Sequence, residues 1–127
     1  MSEAITAPPT TGMQHLSLTV SDVEAGAAWY TRVPVTSPHH LDGAGVMIGL
    51  HHHQGHAAGG FDERRTGLDH IAFGVAERAD LDTWTAWLDE QGIEHSGVQD
   101  VKSPMPFATV VFRDPDIIQL ELIHLPS

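Results

Sequence analysis

The stretch "TGLDHIAFGV", residues 66–75, restates an earlier one, "TGMQHLSLTV", residues 11–20. Both run Thr-Gly, two residues, His, then large and small residues in turn, and both end in Val. A tryptophan follows each histidine at the same offset, Trp29 after His15 and Trp84 after His70. Chance rarely aligns this many positions, so the duplication outweighs any single motif. It predicts one structural unit written twice.

Within each copy the residues alternate. Leu16, Leu18 and Val20 point one way while His15, Ser17 and Thr19 point the other. In the second copy Ile71, Phe73 and Val75 oppose His70, Ala72 and Gly74. Each copy is therefore a half-buried strand with one apolar face and one small, polar face. A helix is expected after each. "SDVEAGAAWYTRV" opens on Ser21 or Asp22 as N-cap with Glu24 in its first turn. "ADLDTWTAWLDEQG" opens on Asp80 or Asp82, carries Leu81, Trp84, Trp87 and Leu88 at helical spacing, and stops at Gly92.

The later part continues as "IEHSGVQDV", "FATVVFRD" and "IIQLELIHL", three strands, the last two joined by a tight turn at Asp114-Pro115-Asp116. The second unit is thus β-α-β-β-β over about residues 68–125. The first, about 13–53, is shorter, since "VPVTSPHHLDGA" leaves little room before "GVMIGLHHH". One of its hairpin strands should be short or missing. Residues 54–67, "QGHAAGGFDERRTG", form a linker, and residues 1–11 a flexible arm ahead of a single domain spanning 12–127.

Composition narrows the function. The 127 residues are 41% hydrophobic and 18% charged, ordinary values for one globular domain. No apolar run suits a membrane helix, and the start lacks the basic and apolar regions of a signal peptide. Cysteine is absent, which removes thiolate chemistry and fits the cytoplasm. A net charge of −11 argues against nucleic acid or an anionic membrane as partner and leaves a small-molecule ligand.

The apolar strand faces must be covered by their own helices, which leaves the histidine faces for a concave surface. If the two units pair about a pseudo-twofold axis, His15 and His70 point into a shared cleft. Glu121 is a third candidate: Leu120 and Leu122 take the apolar face and turn Gln119, Glu121 and Ile123 towards the concavity. A carboxylate flanked by leucines in a strand needs a partner inside. Two imidazoles and one carboxylate converging on a cavity make a metal site with open positions for one divalent ion: Fe, Mn, Ni, Co or Zn. Trp29 and Trp84 are assigned to packing of helix on sheet.

On "HLSLTVSDVEAGAAWY", "GLDHIAFGV" and "FRDPDIIQLELI" the chain resembles the vicinal oxygen chelate superfamily. That superfamily holds glyoxalase I, methylmalonyl-CoA epimerase, extradiol dioxygenases and the fosfomycin- and bleomycin-resistance proteins. The resemblance implies an α+β fold of two paired βαβββ modules that form a half-open mixed β-barrel around a central cleft, helices outside. It also implies a divalent metal held by His15, His70 and Glu121, and a homodimer, in some members with modules exchanged between chains. One departure stands out. Where glyoxalases and the epimerase usually carry a carboxylate in the first module's last strand, this chain reads "IGL", with Gly49 at the ligand position. His51 and His53 lie on the same side as Gly49 and are candidates for the missing ligand or, with Glu121, for a general base.

The expected function is a metal-dependent enzyme that chelates a small oxygenated molecule, either a glyoxalase-like lyase or isomerase or an extradiol-type dioxygenase. Six basic residues are too few to surround a phosphonate, which disfavours fosfomycin modification. The competing class is a bleomycin-resistance type of protein that sequesters its ligand without turnover.

Overall fold

The computed structural model describes residues 5–36, 46–57 and 59–126. The first unit contains β1 (His15–Thr19), α1 (Val23–Arg32) and β2 (Met47–His51). The second contains β3 (Ile71–Gly74), α2 (Arg78–Glu90), β4 (Gln99–Val101), β5 (Phe107–Arg113) and β6 (Gln119–His124). β1 and β2 form a two-stranded parallel sheet, and the others a mixed sheet in the order β3-β6-β5-β4. The chain is a small α+β fold, with two helices and two sheets among the described residues.

Alternation works in β1 as its residues dictate. Leu18 and Val20 are buried, whereas His15, Ser17 and Thr19 stay exposed. Asp22 is the N-cap of α1, and its Oδ1 accepts from the Ala25 N–H at 3.0 Å, satisfying one donor that the helix leaves orphaned. α1 lies so close to β2 that a Cβ on Gly26 would stand 3.2 Å from Leu50 Cδ1. Residues 37–45 lie outside the described residues, and with them most of the segment in which a hairpin strand was expected to be short or missing.

α2 starts earlier than its acidic residues suggest. Arg78 is its first residue, and Asp80 acts from inside the first turn, its Oδ2 accepting from the Glu77 N–H at 2.9 Å. The reciprocal capping arrangement between Glu77 and Asp80 explains why neither Asp80 nor Asp82 is the cap. At the other end Gly92 has φ of 69°, and the N–H groups of Gly92 and Ile93 return to the carbonyls of Asp89 and Leu88. This is a Schellman closure that the left-handed glycine permits.

"IEHSGVQDV" is not one strand. His95 makes an isolated bridge to Phe112, Gly97 turns the backbone at φ of 75°, and only Gln99–Val101 pairs regularly with β5. The Ser96 hydroxyl accepts from the Val111 N–H at 2.9 Å and replaces a ladder bond there. The turn between β5 and β6 closes as its Asp-Pro-Asp sequence requires. Asp114 Oδ1 accepts from the N–H groups of Asp116 and Ile118 at 2.8 and 2.9 Å.

Both units share one core. Leu18, Val20, Tyr30 and Val33 join Leu81, Leu88, Val110, Phe112, Leu120 and Leu122, all buried. Trp29 of α1 packs 6.4 Å from the ring of Phe112 on β5, Trp84 meets Trp87 of its own helix edge-on at 5.6 Å, and all three tryptophans lie partly buried against the core. Tyr30 Oη donates to the buried Asp114 carboxylate at 2.7 Å, fastening α1 to the β5–β6 turn. Burial then pushes the Asp114 carboxyl above its ordinary value, against the hydrogen bonds from Tyr30, Ile118 and Asp116, which pull it down.

Candidate metal centre

β3 and β6 run parallel with Ala72 opposite Glu121. Leu120 and Leu122 are fully buried, so Glu121 faces the other side of the sheet, where its side chain retains 14% of its exposure. His70 precedes β3 by one residue and turns onto that face. Its Nε2 lies 2.9 Å from Glu121 Oε2. Among the described residues this is the one ion-pair contact of the Glu121 carboxylate.

The other ring nitrogen is also engaged. His70 Nδ1 donates to Asp69 Oδ1 at 2.6 Å, and Gln119 Nε2 donates to the carbonyl and carboxylate oxygens of Asp69 at 3.1 and 3.3 Å. Gln119 Oε1 accepts from Arg113 Nη2 at 3.4 Å. Arg113 in turn holds Glu63 through both carboxylate oxygens, at 2.7 and 3.1 Å, and donates to the Ile117 carbonyl at 2.9 Å. The Arg113 guanidinium keeps the Glu63 carboxyl below the usual range. A continuous polar chain therefore runs from the segment between the units, through Arg113, Gln119 and Asp69, to His70 and Glu121. Sequence reasoning found His70 and Glu121 and turned Gln119 to the same face, but missed Asp69, Arg113 and Glu63 behind them.

The first unit presents a matching face. Register pairs His15 with Met47, Ser17 with Gly49 and Thr19 with His51, so these side chains stand together opposite Leu16, Leu18, Ile48 and Leu50. Gln14 Oε1 accepts from His15 Nδ1. A Cβ on Gly49 would meet Ser17 Oγ at 3.1 Å and His51 Nε2 at 3.7 Å, so the His51 imidazole lies over the space that a longer residue at position 49 would enter. His51 and His53 are exposed, with rings parallel and 6.5 Å apart. His52 turns away, with its Nδ1 3.0 Å from the Val20 carbonyl oxygen.

Within one chain, His70 and Glu121 come together and His15 does not join them. Among the described residues no group of three His, Cys, Asp or Glu side chains is close enough to hold a metal. A cavity of about 510 Å³ lies at the end of β5 by Trp29, His95 and Pro115; it shares Arg113 with the polar chain but is not lined by His70 or Glu121.

The family model described as the Glyoxalase/Bleomycin resistance protein/Dioxygenase superfamily matches residues 12–122. The chain belongs to this superfamily. Among solved structures, the glyoxylase/bleomycin resistance protein/dioxygenase domain from Frankia sp. EAN1pec is 30% identical, with a TM-score of 0.74 over 94% of this chain and 95% of that one. The lactoylglutathione lyase from Agrobacterium tumefaciens is 19% identical, with a TM-score of 0.63 over 92% and 96%. A glyoxalase/dioxygenase from Nostoc punctiforme is 16% identical, with a TM-score of 0.67 over the whole of both chains. The last two show likeness of fold alone. No functionally curated protein is detectably similar in sequence. Members of the superfamily bind small molecules and usually a divalent metal. No helix among the described residues is long and apolar enough to cross a membrane.

Proposed function

We propose that this protein is a metal-dependent enzyme of the glyoxalase/dioxygenase superfamily, with His15, His70 and Glu121 as ligands of one divalent cation. The observation that carries the reading is the close pairing of His70 Nε2 with the half-buried Glu121 carboxylate. An imidazole and a carboxylate directed at one point are a donor set for Fe, Mn, Ni, Co or Zn, and a half-buried carboxylate has few other reasons to be kept between two leucines.

His15 would come from a second copy of the chain, completing the half-open barrel from one module of each protomer. Its surroundings support this. Met13 and Met47 beside it keep 69% and 57% of their exposure, and a two-stranded sheet rarely stands alone. His51 would be the fourth ligand or the general base, since it overlies Gly49, where the superfamily's carboxylate is missing. His53 is the alternative base. When bound, the cation would polarise neighbouring oxygens of a small substrate and stabilise negative charge developing on them. Lyase or isomerase chemistry on 2-oxoaldehydes and ring-opening oxygenation of diols both fit such a site. A cysteine-free, acidic chain suits the cytoplasm.

Mixing two inactive variants tests the composite site. His15→Ala and His70→Ala proteins, unfolded together and refolded, should form mixed dimers in which one site is intact. Metal binding should then return to about one quarter of the wild-type sites, the statistical share for a twofold dimer. No recovery on mixing would show that the site does not draw on two chains.

A further inference from the structure

The repeated strand carries an oxygen-bearing side chain immediately before each histidine, Gln14 before His15 and Asp69 before His70. In both copies that side chain turns onto the ring. Gln14 Oε1 accepts from His15 Nδ1, and Asp69 Oδ1 accepts from His70 Nδ1 at 2.6 Å. Adjacent residues of a strand point to opposite faces, so such contacts do not arise from regular pleating. They form here because each histidine stands at the very start of its strand, as the first residue of β1 or just before β3. Two segments in different sheets make the same contact with different residue types.

The contact has a chemical consequence. An imidazole whose Nδ1 is fixed as a donor has only Nε2 left to offer a cation. Neither Gln14 nor Asp69 is held by burial, since both are exposed. Asp69 is ordered from behind by Gln119, whose amide orientation is set by having Arg113 on its oxygen side and Asp69 on its nitrogen side.

We propose that Gln14 and Asp69 are positioning residues, which hold Nδ1 of His15 and His70 and so present both Nε2 atoms as metal ligands. Gln119, Arg113 and Glu63 keep Asp69 in place. The inference rests on the ligand assignment made above. It predicts an asymmetry: losing the charged Asp69 costs more metal affinity than losing the neutral Gln14.

The test uses Asp69→Ala, Asp69→Asn and Gln14→Ala proteins, titrated calorimetrically with Zn(II) and examined by NMR with 15N-labelled histidine. Asp69→Ala should weaken Zn(II) binding about 10- to 100-fold and Gln14→Ala by less, while Asp69→Asn, which keeps the acceptor oxygen, should retain most of the affinity. The Nδ1–H resonance of His70 should persist in the wild type and Asp69→Asn and be lost to solvent exchange in Asp69→Ala. Equal affinity in Asp69→Ala and wild type, or an unchanged Nδ1–H resonance, would overturn the proposal. If the wild type takes up no cation, the ligand assignment fails, and the Nδ1–H resonance of the metal-free proteins still decides whether Asp69 holds His70. A purely structural role would lower the melting temperature and leave that resonance in place.

Discussion

Replacing Tyr30 by Phe removes a single hydroxyl, and its cost can be worked from its surroundings. Tyr30 Oη donates to Asp114 Oδ2 at 2.7 Å, while Asp114 Oδ1 keeps its own two backbone donors. Tyr30 and Asp114 retain only 8% and 5% of their exposure, so water cannot readily replace the lost donor. Leaving a buried acceptor unpaired costs about 2 kcal/mol. For a chain of this length that lowers the melting temperature by roughly 6–10 °C. Urea unfolding should show a lower midpoint with an unchanged slope, because the same surface is exposed. The variant should also respond differently to alkali. Burial, followed by the hydrogen bond to Asp114, pushes the Tyr30 hydroxyl well above its ordinary value of 10.0. A group whose pKa is raised by folding contributes stability that is complete below its unfolded value and is lost as the pH climbs beyond it. Wild-type protein should therefore lose stability above pH 10 more steeply than Tyr30→Phe. A variant that melts within about a degree of wild type would refute this account of how α1 is fastened to the β5–β6 turn.

Three further outcomes follow from the geometry. Arg64 holds the Asp62 carboxyl down to about 2 through side-chain and backbone hydrogen bonds, so Arg64→Ala should return it towards its ordinary 3.8 in a carbon-detected NMR titration. Because folding depresses this group, its contribution to stability is present above pH 3.8 and is lost as the pH falls towards 2, a loss that should be smaller in the variant, whose residue 64 keeps only its backbone donor. Gly26→Val forces a branched side chain against Leu50 and should destabilise by roughly 1–3 kcal/mol in urea unfolding. Gly92→Ala places a Cβ in a left-handed turn at φ of 69° and should cost about 1 kcal/mol by the same measurement.

How much of this was legible in the sequence depended on the range of the interactions. The strands around His15 and His70 were readable because alternation is local, and Glu121 was readable because a carboxylate between Leu120 and Leu122 contradicts its own strand. The start of α2 was misplaced because a helix can be capped by an acidic residue inside its first turn as well as before it, and Asp80 does the former. The break at Gly97 was missed because a glycine inside the segment was read as part of the strand and not as the bend it makes. The connections of the polar chain behind His70 were out of reach, since they depend on the parallel register of β3 and β6, which brings Asp69 and Gln119 together. One signal was present and unused: both repeats place an oxygen-bearing side chain directly before the histidine. The position of His15 relative to His70 depends on how modules pair, and alternation within a strand carries no information on that.

The central claim is a metal centre on His15, His70 and Glu121. Elemental analysis tests it most directly, on protein purified without a tag or nickel resin, beside a His70→Ala, Glu121→Ala double variant whose fold is checked by circular dichroism. The account predicts about one divalent metal per chain in the wild type and none in the folded variant. No metal in the wild type, even after addition of Fe(II), Mn(II), Ni(II) or Zn(II), would contradict it.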